Sequence, residues 1–295
     1  MYLAHGEDYA IWQQGEIKMA GGKKEYPKYS VLMTVCAKEK PVFLIESIDS
    51  MLNQTVKPSE FILVEDGPLT KELYRVIRKY KDNSDIKVIK LKENQGSGPA
   101  SAKGVLSCQY DWIARLDSDD FSVPTRIEEQ FNVYLKDNNL DIIGSNVDEY
   151  FETHENVISH VVLPETDAEL QKFARRRCPL RNSAIIAKKE AILNAGNYRR
   201  FDLFEDYDLY TRMIQKGAKQ YNVQKPLVLV RTSKDFYKRR GGISYAKKIL
   251  RFKNEQLRNG FFTKKDYIAS TLPHVSVALM PNFARDLVYK KMLRK

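Results

Sequence analysis

Cysteine is scarce in this chain: Cys36, Cys108 and Cys178 make an odd number with no CxxC spacing. That excludes a disulfide framework or a cysteine-ligated metal site and fits thiols kept reduced in the cytosol. No stretch approaches the ~18–20 consecutive apolar residues needed to span a bilayer, so the sequence does not read as an integral membrane protein. The opening Met1-Tyr2-Leu3-Ala4-His5-Gly6-Glu7-Asp8 has neither a basic n-region nor an apolar h-region, and no secretory signal is expected. Internal repeats and low-complexity tracts are also missing. Acidic residues are sparse in one place: from Lys234 to Lys295 there are 16 Lys/Arg and 4 Asp/Glu, whereas the rest holds 33 and 34. The net charge of +11 therefore comes from the C-terminal region, which points to a local anionic partner there.

What is present suits a soluble α/β protein. The 295 residues are 43% hydrophobic and 29% charged, enough to bury one large domain or two lobes sharing a sheet. Residues 1–28 are polar, broken by Gly21-Gly22 and Pro27, and read as an extension. Tyr29 to Cys36 is a short apolar run, as in a strand covered on both faces of a parallel sheet. Leu44, Ile48, Met51 and Leu52 recur at helical spacing from Pro41 onward.

The alternation continues with strands at Phe61–Val64, Ile86–Leu91 and Trp112–Leu116. Between them come a helix capped by Thr70 and running to about Lys81, and a loop and helix over Gly96–Cys108. Such spacing predicts right-handed βαβ units in a doubly wound sheet whose ligands bind at the carboxyl ends of the strands. Further on, the pattern predicts a helix from Pro124 to about Asn138, a strand at Ile142-Ile143, and antiparallel strands between Val147 and Val162. Helices are expected near Ala168–Arg177 and Asp206–Lys216, with a strand at Leu227–Val230.

The chemistry concentrates in Asp117-Ser118-Asp119-Asp120. Three carboxylates in four residues at a strand end repel one another unless a hard cation such as Mg2+ or Mn2+ offsets them. The alternative is an acidic turn or helix start ahead of Pro124. An EF-hand lacks its glycine and its twelfth-position glutamate here. A phosphatase-type DxDx[TV] would need Thr or Val where Phe121 stands.

Val31–Val35, Ser50–Thr55 and Ile62–Gly67, followed by Glu93–Gly98, Leu116–Asp120, Pro124–Ile127 and Phe204–Leu209, resemble the family 2 glycosyltransferases in order and spacing from Ser30 to Arg231. The resemblance is greatest to bacterial enzymes that build capsular, exopolysaccharide or O-antigen repeat units. It implies a GT-A fold: a Rossmann-like, mainly parallel sheet flanked by helices, here with a basic helical C-terminal extension. The catalytic domain would cover 29–233, with a nucleotide-binding half at 29–120 and an acceptor half at 121–233, followed by a basic region at 234–295.

The resemblance also implies roles. Thr34, Val35 and Cys36 would line the base pocket, Cys36 standing where most relatives carry an aromatic. Asp66 would accept the N3–H of uracil, and Gly96 and Lys103 would approach the nucleotide. Asp117 and Ser118 would sit by the ribose, with Asp117 and Asp119 holding Mn2+ or Mg2+. Asp206 would be the base that takes the acceptor's proton in a single, inverting displacement. Asn182 replaces a histidine of close relatives, and Asp120 receives no role.

Lys238-Arg239-Arg240-Gly241-Gly242 joins clustered cations to a flexible hinge suited to closing over a diphosphate, so Arg239 and Arg240 count as nucleotide contacts. Beyond it, Ile243, Ala246, Leu250 and Leu257 mark an amphipathic helix. A fairly apolar stretch from Ile268 to Met280 follows, interrupted by Pro273. This region suits either contact with an anionic membrane surface or packing on the catalytic core.

The leading expectation is thus a cytoplasmic enzyme, peripheral at the inner face of the membrane, moving sugar from a UDP-sugar donor to a lipid-linked or oligosaccharide acceptor. Two other classes stay open on the residues. A sugar-nucleotide nucleotidyltransferase would want a glycine-rich loop after the first strand, where Cys36-Ala37-Lys38-Glu39-Lys40 has none. A noncatalytic polyanion-binding module explains the basic tail and leaves Asp66, Asp119 and Asp206 unexplained. Aromatic stacking motifs are absent, so nucleic acid is not an expected partner.

Overall fold

The computed structural model describes residues 24–80, 85–232, 241–281 and 284–285. Strands β1 (Tyr29–Val35) and β2 (Glu60–Glu65) are buried almost throughout, as their continuous apolar character requires. Both lie inside a sheet that also contains β3 (Ile86–Lys90), β4 (Trp112–Arg115), β5 (Phe121–Ser122), β6 (Ile142–Tyr150), β7 (Val157–Val161), β8 (Ile186–Lys188) and β9 (Gln220–Arg231). The order is β3-β2-β1-β4-β8-β6-β9-β5, with β7 paired to β6. β3 is the edge strand of this half; Lys87 and Lys90 are exposed while Ile86, Val88 and Ile89 are part-buried.

Pairing from β3 to β4 is parallel, as the βαβ spacing predicts. Past β4 the sheet becomes mixed: β8 runs antiparallel to both β4 and β6, and β9 returns parallel to β6. β8 and β5 escape a reading by periodicity because three and two residues are too short to show one. β6 and β9 are longer than expected for the opposite reason. β6 is buried at all but one position, so no alternation marks where it ends. The expected hairpin over 147–162 is present as β6 and β7 in antiparallel register.

The helices fill both faces: α1 (Pro41–Leu52), α2 (Lys71–Lys79), α3 (Ser97–Ser107), α4 (Arg126–Tyr134), α5 (Asp167–Ala174), α6 (Lys189–Asn194) and α7 (Glu205–Gln215). Thr70 caps α2 as expected, its hydroxyl oxygen accepting from Leu73 N at 3.3 Å. Alternate β1 residues supply two cores. Val31, Met33 and Val35 join Leu44, Ile48 and Met51 of α1, while Leu32 joins Val105 of α3 and Leu209 of α7.

The basic C-terminal region forms α8 (Gly242–Arg258) and α9 (Lys264–Leu279). α9 runs unbroken through Pro273, which corrects the expected interruption. Pro273 and Ala269, whose carbonyl loses its partner, are both exposed, so water can satisfy the freed group. Both helices pack on the catalytic domain through an aromatic cluster in which Phe252 stacks on Phe204 at 5.0 Å and lies 4.6 Å from Tyr207. The expectations for residues 1–23 and for Arg239 and Arg240 lie outside the described residues.

Lys253 is buried in this cluster, its Nζ donating to the Arg176 carbonyl at 3.4 Å and facing the rings of Tyr207, Phe252 and Phe262. Burial pushes its ammonium down to about 7. In the unfolded chain it titrates at about 10.4. Between these values the unfolded state holds a proton the folded state lacks, so this group makes stability rise with pH across the window and costs most below it. Lys253→Met is therefore expected to raise the melting temperature at pH 6, with the gain shrinking by pH 9.5. Thermal melts at the two pH values test this, and a variant less stable at pH 6 contradicts it.

Candidate active site

The carboxyl ends of β1, β2 and β3 form a hydrogen-bonded ledge. Asp66 N donates to the Val35 carbonyl at 2.8 Å, which joins the main chain after β2 to the end of β1. The Asp66 carboxylate accepts from Gln95 N at 2.7 Å and Gly96 N at 3.0 Å, and its carbonyl accepts from the Asn94 side chain at 3.1 Å. Gly67 makes the close approach possible: its φ is 84°, and a Cβ there would lie 2.5 Å from Asn94 N. Asp66 thus clamps the loop that opens α3, using one lone pair on each oxygen and leaving others for a ligand. Gly96 is the N-cap of α3. Lys103 sits in the second turn of α3, exposed, and lines neither of the two cavities described below.

The acidic residues meet elsewhere. Asp117, Asp119 and Asp206 line one cavity of about 300 Å3, together with Arg181 and Arg231. Asp117 and Asp119 come from the loop after β4, and Asp206 from the first turn of α7, 87 residues beyond Asp119 in sequence. Beneath Asp117 lies the fully buried Arg115, which donates to the Leu32 carbonyl at 2.9 Å and approaches Asp117 at 3.3 Å. Arg126 is also fully buried and ties the end of β4 to the segment before β8 by donating to the Arg115 and Ile185 carbonyls, both at 2.8 Å.

Charge crowding is visible at each carboxyl group. Burial, then the neighbouring Glu39 and Asp117 carboxylates, push Asp119 up to about 7. Asp120 is raised well above the ordinary range by burial and by Asp119. Its role is structural: it accepts from Arg231 N at 3.0 Å while its own carbonyl accepts from Ser47. Asp206 is raised by burial and Asp117, and its Oδ2 receives the Cys178 thiol at 3.8 Å. Glu205 beside it is pushed up to about 7 by burial and Asp206.

Several participants were not singled out by the sequence reading. Arg231, at the end of β9, donates to the Asp119 carbonyl at 3.1 Å and pairs with Glu46, with its guanidinium 3.7 Å from the centre of the Phe43 ring. Glu39 accepts the Ser118 hydroxyl at 2.6 Å, so Ser118 is engaged within the protein. Asn182, which the sequence did single out, accepts from the hydroxyls of Tyr198 at 3.0 Å and Tyr210 at 3.3 Å.

A divalent cation fits these residues. Among the described residues no three His, Cys, Asp or Glu side chains form a ready-made cage. Mg2+ and Mn2+ need none when a substrate diphosphate completes the shell, because one or two carboxylates then suffice. Asp117 and Asp119 are such a pair, and a cation there would relieve the burial and the neighbouring negative charge of Glu39 and Asp117 that raise Asp119.

A mixed sheet whose parallel half presents carboxylates at its carboxyl edge, flanked by helices on both faces, has the architecture of the GT-A fold. The sequence model of "Glycosyl transferase family 2" matches residues 30–201, and the chain belongs to that family. It is 34% identical over 270 residues to an Escherichia coli protein named UDP-Gal:alpha-D-GlcNAc-diphosphoundecaprenol beta-1,3-galactosyltransferase, covering 91% of this chain and 98% of that one. The amylovoran biosynthesis glycosyltransferase AmsE of Erwinia amylovora is 28% identical, covering 89% and 98%. In fold, the chain matches residues 1–349 of Staphylococcus aureus TarS with a TM-score of 0.56 at 17% identity, covering 90% of this chain and 87% of that one.

Asp66→Asn should lower stability by about 1–3 kcal/mol, because the amide offers one acceptor oxygen and turns an NH2 toward the second backbone N–H. Chemical denaturation checks this, and an unchanged midpoint would show that the clamp contributes nothing.

Proposed function

We propose that the chain transfers a sugar, with inversion at the anomeric carbon, from a UDP-sugar to a lipid-linked glycan in the synthesis of bacterial surface polysaccharide, and that transfer needs Mn2+ or Mg2+. The convergence of Asp117, Asp119 and Asp206 on one cavity carries this reading. The names of the relatives support the chemical class: the Escherichia coli protein is named for a UDP-sugar and a diphosphoundecaprenol-linked acceptor.

In this reading the uracil and ribose lie along the ledge of Thr34, Val35, Cys36, Asp66 and Gly96, and the diphosphate reaches the Asp117–Asp119 edge of the cavity. Asp206 takes the proton from the acceptor hydroxyl as that oxygen bonds to the anomeric carbon. The bond from that carbon to the diphosphate breaks, and UDP leaves with the electron pair. Burial suits Asp206 to this, since a carboxylate held up in pKa is a stronger base than one in water. A bound cation would supply Lewis-acid stabilisation of charge on the departing diphosphate. Arg181 and Arg231 add fixed positive charge on the same wall.

The outer faces of α8 and α9 support peripheral membrane contact. Ile243, Ile268 and Leu272 are more than half exposed, and Lys247, Lys264 and Lys265 stand near them in sequence. Among the described residues no helix is long and apolar enough to cross a membrane.

Asp206→Asn is expected to abolish transfer, by at least ~100-fold as for loss of a general base, while calorimetry shows UDP-sugar binding intact. Parallel loss of donor binding would remove the base assignment. Washed protein in excess EDTA is expected to be inactive and to recover with Mn2+; full turnover in EDTA contradicts the cation requirement.

A further inference from the structure

A second cavity, of about 520 Å3, lies between the 199–201 segment and α8. Its wall carries Arg199, Arg200, Arg251 and Arg258 against one carboxylate, Glu255. Two of the four guanidiniums are anchored. The Arg199 side chain is held by the fully buried Asp208 through Nε at 3.0 Å and Nη2 at 2.6 Å, and Arg200 Nη2 donates to the Gln95 carbonyl at 2.8 Å. Phe201 gathers a third beside them: the Arg199 and Arg251 guanidiniums lie 5.6 and 5.3 Å from its ring centre. Arg251 and Arg258 are exposed, two turns apart on one side of α8, and neither forms an ion pair among the described residues.

Four guanidiniums surround one open cavity, and their repulsion is offset only in part by Glu255 and by Asp208, which Arg199 shares with Arg212. A multiply charged oxyanion relieves it, and guanidinium forks match phosphate oxygens two at a time. The surroundings indicate where the phosphate comes from. Ile243 and Leu250 are exposed at 69% and 37% on the same outward side of α8 as Lys247 and Arg251, so apolar side chains and cations share one surface. The Arg199–Asp208 pair also joins the cavity to α7, the helix that carries Asp206.

We propose that Arg199, Arg200, Arg251 and Arg258 form a second anion site, separate from the donor cavity, that binds the phosphate of a membrane lipid. The ligand chemistry is a phosphate or diphosphate ester on a lipid chain, supplied either by the lipid carrier of the acceptor or by a phospholipid headgroup. The acceptor source rests on the proposed reading of the chain as a transferase for lipid-linked glycans; the site itself does not, because binding is measured without donor or turnover.

The test is flotation of the full chain with phosphatidylcholine vesicles carrying either a polyprenyl diphosphate or phosphatidylglycerol at equal charge. Arg251→Gln/Arg258→Gln is compared with the wild type and with Lys71→Gln/Lys79→Gln, which removes the same charge from two exposed positions of α2. The arginine variant is expected to bind about 30-fold more weakly, from two charges of about 1 kcal/mol each, while the lysine variant keeps most of its binding to the diphosphate vesicles. Loss confined to the diphosphate vesicles assigns the site to the acceptor carrier, and loss on the phosphatidylglycerol vesicles assigns it to the headgroup. Unchanged binding of the arginine variant to both, or equal loss in the lysine variant, overturns the proposal. Both arginines are exposed, and coincident thermal melts of the three proteins confirm that each is folded.

Discussion

Carboxyl groups at the end of β4 and the start of α7 repel one another across a small cavity, and much of the surrounding architecture holds them there. The cluster is destabilising in isolation, because burial first and neighbouring carboxylates second raise Asp119, Asp120, Glu205 and Asp206. Fixed cations limit the cost. Arg115 lies buried beneath Asp117, Arg126 ties the end of β4 into the core, and Arg231 reaches from β9 to the Asp119 carbonyl. Each guanidinium also donates to main-chain carbonyls, so the cations that offset the acids fix the loop that presents them.

The same constraint explains the C-terminal helices. Asp206 keeps its position only if α7 does, and α7 is wedged by Phe252 of α8 against Tyr207 and Phe204. A basic region that reads in sequence as a membrane-facing tail is therefore also part of the catalytic scaffold. Its inner side is aromatic and fixes α7, while its outer side is cationic and apolar. One pair of helices thus links the geometry of the base to the surface on which a lipid-bound acceptor would arrive.

The fold was largely legible in the sequence through β4, because buried parallel strands and amphipathic helices have distinct periods. The three acids that converge were legible too, from the family's spacing of Asp117, Asp119 and Asp206. Legibility ended where long-range pairing decides the outcome. Three-residue β8 has no period, and its antiparallel seat between β4 and β6 is set by tertiary packing. Arg231 meets Asp119 across 112 residues, and Glu39 meets Ser118 across 79, with no local signal for either. Asp66, which the family resemblance marks for the nucleobase, clamps the Gln95–Gly96 amides, a duty invisible without the fold.

If crowding of carboxylates is what the site is built to hold, removing one should stabilise the fold and disable the site together. The most direct measurement is the melting temperature of Asp119→Asn beside the wild type, each in EDTA and in Mn2+ with UDP. The variant is predicted to melt higher than the wild type in EDTA and to gain nothing from Mn2+ and UDP, whereas the wild type gains several degrees. A variant that melts lower in EDTA, or that is stabilised by Mn2+ and UDP as much as the wild type, would contradict the account.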